Sequence, residues 1–378
     1  MILLFVVNRN EFFLSHRLPI AIAARDEGYD VHVVTGSDDS HTINSFGLVH
    51  HFLPISRSGL NPWLELKTFL FLWSLIRNLK PDLLHLVTIK PVIYGGLIAR
   101  LNRVPSLVIA ISGLGSIFVS NSQMRIARWI RLGIEFIFKV VLRHPNLKVI
   151  FQNNNDKETI NSLRTLDSTQ SVLISGSGIL LEDYPFRPEP NGIPVITFAS
   201  RLLKEKGVNE FVEASRILKN RGINLRFWLL GLPDYGNPSS VQKFDVDLWQ
   251  KAGLIEYFGF RADISNIFAS SNIIVLPSYY GEGLPKVLIE AAACGRAVVT
   301  TDSPGCREAI LPNVSGILVP IKDAISLADA IEYLIVNQDL RQVMGKAGRH
   351  LAEKKFRIEN VVELHLKIYS ELMKRIKS

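Results

Sequence analysis

Short runs of Val, Ile and Leu alternate along this chain with longer segments in which apolar residues return at helical spacing. Near-continuous apolar strands separated by crossover helices build parallel sheets covered on both faces, so the class is α/β. The pattern occurs twice. Strands are expected at 2–7, 31–35, 83–87, 106–111 and 148–152, with helices near 14–26, 63–78, 92–101 and 123–143. It restarts with strands at 195–199, 226–230, 255–258, 273–276 and 297–301, helices at 208–220 and 285–294, and a helical stretch from 324 to 377. Between the halves, Pro185, Pro188, Pro190, Gly192 and Pro194 crowd into eleven residues, where no regular element persists. A chain of 378 residues also exceeds one compact core. Two Rossmann-like doubly wound domains are therefore expected, at 1–184 and 195–378, with a hinge at 185–194.

Composition narrows the function. Cys294 and Cys306 are the only cysteines, too few for a disulfide scaffold or a thiolate metal centre and typical of a reducing cytosol. Residues 1–7 are apolar without a basic segment before them or a small-residue cleavage site after them, so they read as a strand rather than a signal peptide. The charge-free apolar run 68–76 is half the length that crosses a bilayer as a helix. The formal charge of +8 is unevenly spread: from Leu83 to Gln152, nine basic residues face one acid, Glu135. Such a basic face suits an anionic partner, and a mean hydropathy of +0.19 favours a membrane surface over nucleic acid. No zinc finger, helix-turn-helix or aromatic-basic motif supports nucleic acid.

The densest signal is 276–310. There a strand leads into Pro277-Ser278-Tyr279-Tyr280-Gly281-Glu282-Gly283-Leu284-Pro285-Lys286 and then a helix stopped by Gly295. Glycines on both sides of Glu282 let backbone approach a ligand, and Pro285 suits a helix start. The N–H groups of that start form an anion site for which a phosphate is the expected occupant. Glu290, the only charged residue between Lys286 and Arg296, needs polar partners on so apolar a helix, whether Lys286 one turn earlier, solvent or a ligand.

The stretch "PSYYGEGLPKVLIEAAACGRAVVTTDSPGCREAI", with Glu282 and Glu290 separated by seven residues, resembles the E-x7-E region of family 4 retaining glycosyltransferases of the GT-B fold. "FASRLLKEKGV", "FGFRADI", "SGIL" and "RLPIAIAARDEGYDVHVVTG" also look like elements of that family, so the resemblance covers nearly the whole chain. It implies two Rossmann-like domains facing across a cleft, with the nucleotide sugar on the second and the acceptor on the first. It further implies Arg201 and Lys206 as the cationic pair on the diphosphate, Glu282 on donor-sugar hydroxyls, and Glu290 on the ribose. The backbone of Gly283, Leu284 and Lys286 would face phosphate or sugar, with Arg261 and Gly113 nearby. Such enzymes generally need no bound metal or other cofactor, and no carboxylate nucleophile is assigned.

The chain departs from the pattern where many members carry a histidine after a first-domain strand; here "LVIAISGLGSIF" puts Ser112 and Gly113, with no imidazole. His85 reads as a strand-end structural residue, and His16 as a candidate base on the acceptor side. Asp245 and Asp247 spell Asp-x-Asp but sit in a helix-like stretch, so they read as surface charge. In 123–143, Arg125, Arg128, Arg131, Glu135, Lys139 and Arg143 form one polar stripe opposite Trp129, Ile130, Ile134 and Phe136, fit either for burial or for a membrane interface. The 63–78 helix, with Trp63, Phe69, Phe71 and Trp73, is a second apolar helix with basic flanks.

The segments "EGLPKVLIEAAACGRAVVTTDSPGCRE" and "NRNEFFLSHRLPIA" are similar to enzymes that extend undecaprenyl-diphosphate-linked glycans in O-antigen, capsule or glycoprotein assembly. The expected function is therefore transfer of a sugar, best an N-acetylhexosamine from UDP, to a lipid-diphosphate-linked acceptor. The expected place is the cytoplasm, peripherally on the inner leaflet. A sugar-nucleotide 2-epimerase of similar fold and a binding-only module for nucleotide sugars are the alternatives. A dinucleotide oxidoreductase is disfavoured, because no Gly-x-Gly-x-x-Gly follows a strand.

Overall fold

The computed structural model describes residues 1–37, 40–55, 61–114, 125–163, 165–279 and 281–377, with the side chains of 125–131 and 377 left aside. The chain divides into two compact units. Unit 1 is Met1–Ser177 with Ile358–Ser378, and unit 2 is Gly178–Arg357.

Unit 1 holds a seven-stranded parallel sheet: β1 (Ile2–Val6), β2 (Asp30–Thr35), β3 (Val49–Phe52), β4 (Leu83–Val87), β5 (Ser106–Ile111), β6 (Leu147–Phe151) and β7 (Ser171–Leu173), in the order β3-β2-β1-β4-β5-β6-β7. Strand residues alternate between two apolar layers. Leu4 and Val6 pack with Leu72, Ile98 and Phe138, whereas Leu3 and Phe5 pack with Ile20, Ala24, Tyr369 and Leu372. The first layer belongs to the helices Pro62–Leu79, Ile89–Leu101 and Arg125–Leu142, and the second to Leu18–Asp26 and Ile358–Lys377.

Unit 2 holds six parallel strands: β8 (Val195–Ala199), β9 (Arg226–Leu230), β10 (Glu256–Gly259), β11 (Ile273–Leu276), β12 (Ala297–Thr301) and β13 (Gly316–Val319), in the order β10-β9-β8-β11-β12-β13. Strand order reverses between β1 and β4 in the first sheet and between β8 and β11 in the second, and ligands of doubly wound sheets sit beyond the carboxyl ends of strands at such points.

Two boundaries differ from the expected 1–184, 185–194 and 195–378. The last helix returns to unit 1 because Val361, Ile368, Tyr369 and Leu372 form an apolar stripe matching the free face of that sheet. The Pro-rich 185–194 stretch is part of unit 2 rather than a hinge. Its irregular backbone leaves carbonyls open, and buried Arg296 donates to those of Arg187 and Pro188 at 2.9 and 3.2 Å, while Glu189 pairs with buried Arg341 at 2.7 Å. Among the described residues no helix is long and apolar enough to cross a membrane.

Candidate functional site

The strongest cluster stands at the carboxyl ends of β8 and β11, where the second sheet reverses. After β8 the chain runs through Arg201 into a short 3-10 turn, Lys204–Lys206, and then Gly207. Gly207 has φ +81, and a Cβ there would lie 2.2 Å from the Pro277 carbonyl, so only glycine lets the two loops close on one another. The Tyr279 amide donates to the Glu205 carbonyl at 3.0 Å, fixing the same approach.

That closure delivers Lys206 Nζ to Glu282 Oε1 in an ion pair whose side chains are only 11% and 13% exposed. Ser278 Oγ donates to the same Oε1 at 3.1 Å. Behind it, the Thr301 and Ser303 hydroxyls donate to the Ser278 carbonyl, so the turn after β11 is anchored to the end of β12. The turn then passes buried Gly283 and Leu284 into the helix Lys286–Ala293, which begins at Pro285 without a side-chain cap. Its first amides and its dipole favour negative charge.

One turn into this helix, Glu290 Oε1 accepts from the Tyr184 hydroxyl at 2.8 Å and lies 3.8 Å from Lys286 Nζ. Burial pushes the Glu290 carboxyl up, with Lys286 and the Tyr184 hydroxyl pulling it back in part. The Tyr184 phenol is pushed up as well, by burial first and then by the Glu290 carboxylate. Arg349 holds the far side, donating to the Tyr184 and Ala293 carbonyls at 2.7 and 2.8 Å. Neither Tyr184 nor Arg349 was foreseen from the sequence. Tyr184 lies 106 residues from Glu290, at the mouth of the Pro-rich stretch, and carries no local signal of this role.

The remaining expected site residues are spread out. Arg201 shares the β8 loop but turns to Asp234, after β9, at 3.0 Å. Arg261, past the edge strand β10, forms two 2.7 Å bonds with Asp263. β10 is two strands from β8, about 10 Å along the sheet, and there Asp263 holds Arg261. Asp245 accepts from the Gln242 amide at 3.0 Å and caps its own helix, Lys243–Lys251. Among the described residues no group of three or more His, Cys, Asp or Glu is arranged to hold a metal ion.

Gly113 and His16 lie in unit 1. Gly113, just past β5, has φ +105, a turn conformation that glycine adopts without strain. Gly115 lies outside the described residues, as do Tyr280 and the side chains of Arg125, Arg128 and Arg131. His16 ends the helix Asn10–His16, its Nδ1 2.6 Å from Ser15 Oγ and its ring stacked on Phe12 with centroids 4.2 Å apart. Its neighbour Arg17 is 1% exposed and donates to Ser112 Oγ at 3.0 Å. His85 is the structural strand residue expected, fully buried on β4 with Nδ1 2.6 Å from the Tyr369 hydroxyl.

Known proteins sharpen this picture. The family model described as glycosyl transferases group 1 matches residues 182–351, and the one described as glycosyl transferase 4-like matches 2–153. The chain is 29% identical to N,N'-diacetylbacillosaminyl-diphospho-undecaprenol alpha-1,3-N-acetylgalactosaminyltransferase of Campylobacter jejuni, over 96% of this chain and 99% of that protein. It is 25% identical to UDP-Gal:alpha-D-GlcNAc-diphosphoundecaprenol alpha-1,3-galactosyltransferase of Escherichia coli, over 85% and 84%. Among solved structures, Anabaena Alr3699/HepE in complex with UDP superposes with a TM-score of 0.74 at 17% identity, over 98% of this chain and all of that one, which is a likeness of fold. With one glycosyltransferase family model over residues 182–351 and another over 2–153, a relative aligned nearly end to end and two parallel-sheet units of the GT-B fold, this chain is a glycosyltransferase.

Proposed function

We propose that this enzyme moves a hexose or N-acetylhexosamine from a UDP-sugar, with retention, to a hydroxyl of a lipid-diphosphate-linked glycan. The observation that carries the reading is the Lys206–Glu282 cluster beside an uncapped helix start at the reversal point of the second sheet. As the bond from the anomeric carbon to the diphosphate oxygen breaks, negative charge grows on the diphosphate and positive charge on the ring. Cations and amides already oriented there lower the barrier. Lys206, Arg201 and the Lys286–Ala293 helix start supply them, Glu282 receives donor-sugar hydroxyls, and Glu290 receives the ribose. The acceptor oxygen attacks on the face the diphosphate leaves, and its proton passes to the departing phosphate, so neither a carboxylate nucleophile nor a metal is required of these residues.

The relatives' names support the acceptor class, since both act on diphosphoundecaprenol-linked sugars, and one names UDP-Gal as donor. Unit 1 suits a membrane-bound acceptor. On the helix Pro62–Leu79, Trp63, Leu66, Leu70 and Phe71 are exposed, Trp63 by 79%, and Lys67, Arg77 and Lys80 are exposed beside them. Leu132 and Phe136 are exposed on the helix Arg125–Leu142, which packs against the same neighbour, Ile89–Leu101. Apolar side chains among cations fit the inner, anionic leaflet.

The test is a product screen with several nucleotide sugars and a short-chain lipid diphosphate glycan as acceptor. Lys206→Ala, Arg201→Ala and Glu290→Ala are each expected to lower turnover at least 100-fold while leaving the fold intact by circular dichroism. Near-normal turnover in all three would refute the site. Sugar isomerisation without acceptor would point instead to an epimerase.

A further inference from the structure

Resting on the reading that unit 1 receives a lipid-linked acceptor, we propose that Ser112 and Thr88 bind the acceptor's diphosphate, with the buried Arg17 positioning Ser112 and supplying the charge.

Arg17, Thr88 and Ser112 stand in the segments that follow β1, β4 and β5, neighbouring strands at the reversal point of the first sheet. The Arg17 guanidinium, 1% exposed, donates to Ser112 Oγ at 3.0 Å. Arginine offers no acceptor in return, so the Ser112 proton must be donated elsewhere. A hydroxyl that accepts from a cation is also the stronger donor to its next partner. Ser112 lines a small cavity with Gly113 and Thr88, and Thr88 Oγ1 is a second buried hydroxyl, one without a partner. Thr88 also takes φ +73 and ψ 161, a region kept almost entirely for glycine, and strain of that kind gathers where ligands are clamped. Two hydroxyl donors suit an oxygen ligand, and the charge around them selects an anion. Thr88 precedes the helix Ile89–Leu101, whose first turn carries no acid, so the positive end of its dipole adds to the Arg17 charge. The remaining wall includes Val92, Leu114 and Phe138, apolar groups that leave these charges poorly screened. A neutral sugar gains little from such a field, whereas the diphosphate of a lipid-linked acceptor gains much. A guanidinium held this deep adds little to stability, so its loss is felt in binding rather than in folding.

Transfer by the full chain is measured with the sugar nucleotide selected by the product screen at saturation and a short-chain lipid-diphosphate glycan as acceptor. Farnesyl diphosphate, which carries no sugar, serves as inhibitor against that acceptor. Ser112→Ala and Arg17→Met are each expected to raise the acceptor KM and the farnesyl diphosphate Ki about tenfold, with the donor KM unchanged and the fold intact by circular dichroism. Ser112→Thr, which keeps the hydroxyl, is expected to behave as wild type. An unchanged acceptor KM, a raised KM with an unchanged Ki, or donor and acceptor KM rising together overturns the inference while leaving the transfer reaction standing. Absence of transfer to any lipid diphosphate by the wild type removes the acceptor reading and this inference with it. If Arg17→Met does not fold, Ser112→Ala is read alone by the same two constants.

Discussion

The two units treat buried charge in opposite ways. In unit 2 the fully buried Arg296 donates to four carbonyls, those of Phe268, Arg187, Pro188 and Ala269, and buried Arg341 meets Glu189. In unit 1 the equally buried Arg17 has Ser112 Oγ and, at 3.4 Å, the His16 carbonyl, but its Nε has no partner, and among the described residues no carboxylate pairs with it. Around it His85 and His365 each leave Nε2 unpaired, and Asn10 leaves Oδ1 unpaired. Burial holds the Arg17 guanidinium down to about 10. Buried polar groups without partners are rare in native proteins. Unit 2 thus satisfies its buried cations with carbonyls and a carboxylate, whereas unit 1 carries a set of buried polar groups without partners.

Acid should separate the units most strongly. His85 and His365 are held neutral by burial, His85 well below the ordinary imidazole range and His365 down to about 3, and the Arg17 charge adds to both effects. In the unfolded chain both take a proton near pH 6.5. Their contribution is therefore complete above pH 6.5 and falls by about 1.4 kcal/mol per pH unit for each as pH drops, until the folded rings themselves titrate. For His365 that is about 3 kcal/mol lost by pH 4.5, and His85 adds to the loss in the same direction. Glu290 acts in the other direction: its raised carboxyl binds a proton more readily folded than unfolded, so unit 2 regains stability as pH falls through that range. Hydrogen exchange, corrected for intrinsic rate, should show β1, β4 and the helix Ile358–Lys377 opening by pH 4.5 while β8 and β11 stay protected. Equal loss in both units would break the comparison.

The second test exchanges the two arginines. Arg296→Met strands four carbonyls and should cost about 3–5 kcal/mol in urea unfolding. Arg17→Met keeps the volume and removes an uncompensated buried cation, so its effect should stay within about 1 kcal/mol or stabilise. A cost at Arg17 as large as that at Arg296 would mean that Arg17 is as well satisfied as its counterpart.

What the sequence disclosed follows the same physics. Every central strand of both sheets is legible, because strands buried on both faces must be continuous Val, Ile and Leu. Of the edge strands, β10 is legible and β3, β7 and β13 are not. Val-His-His-Phe at 49–52 and the three-residue Ser171–Leu173 carry too little apolar signal, and Gly316–Val319 opens on glycine. One helix expected at 14–26 is in fact two, broken at Arg17 with φ −127, because Pro19 needs a fresh start there. At the candidate site, the local motif pointed to Glu282, Lys286 and Glu290, and the family resemblance pointed to Lys206, which the structure pairs with Glu282. The partners of Glu290 and Arg201 could not be read, because Tyr184 and Asp234 come from loops that only the folded chain brings to them.

The smallest expected difference lies between two tyrosines, and it reports on function as well as stability. The Tyr369 hydroxyl, fully buried, is 2.6 Å from His85 Nδ1. With Nε2 already unpaired, Tyr369→Phe leaves that buried ring nitrogen without this bond and should cost about 2 kcal/mol. Tyr184→Phe takes a donor from Glu290, yet that carboxylate keeps Lys286 at 3.8 Å and is 12% exposed, so the loss should be about 1 kcal/mol or less. Activity should respond more than stability. The Tyr184 hydroxyl holds the Glu290 carboxyl down against the effect of burial, so removing it raises that group further. If the ionised carboxylate is what grips the ribose, the acid limb of kcat/KM moves to higher pH in Tyr184→Phe and stays in place in Tyr369→Phe. An acid limb that moves equally in both variants would separate Glu290 from the pH dependence of transfer.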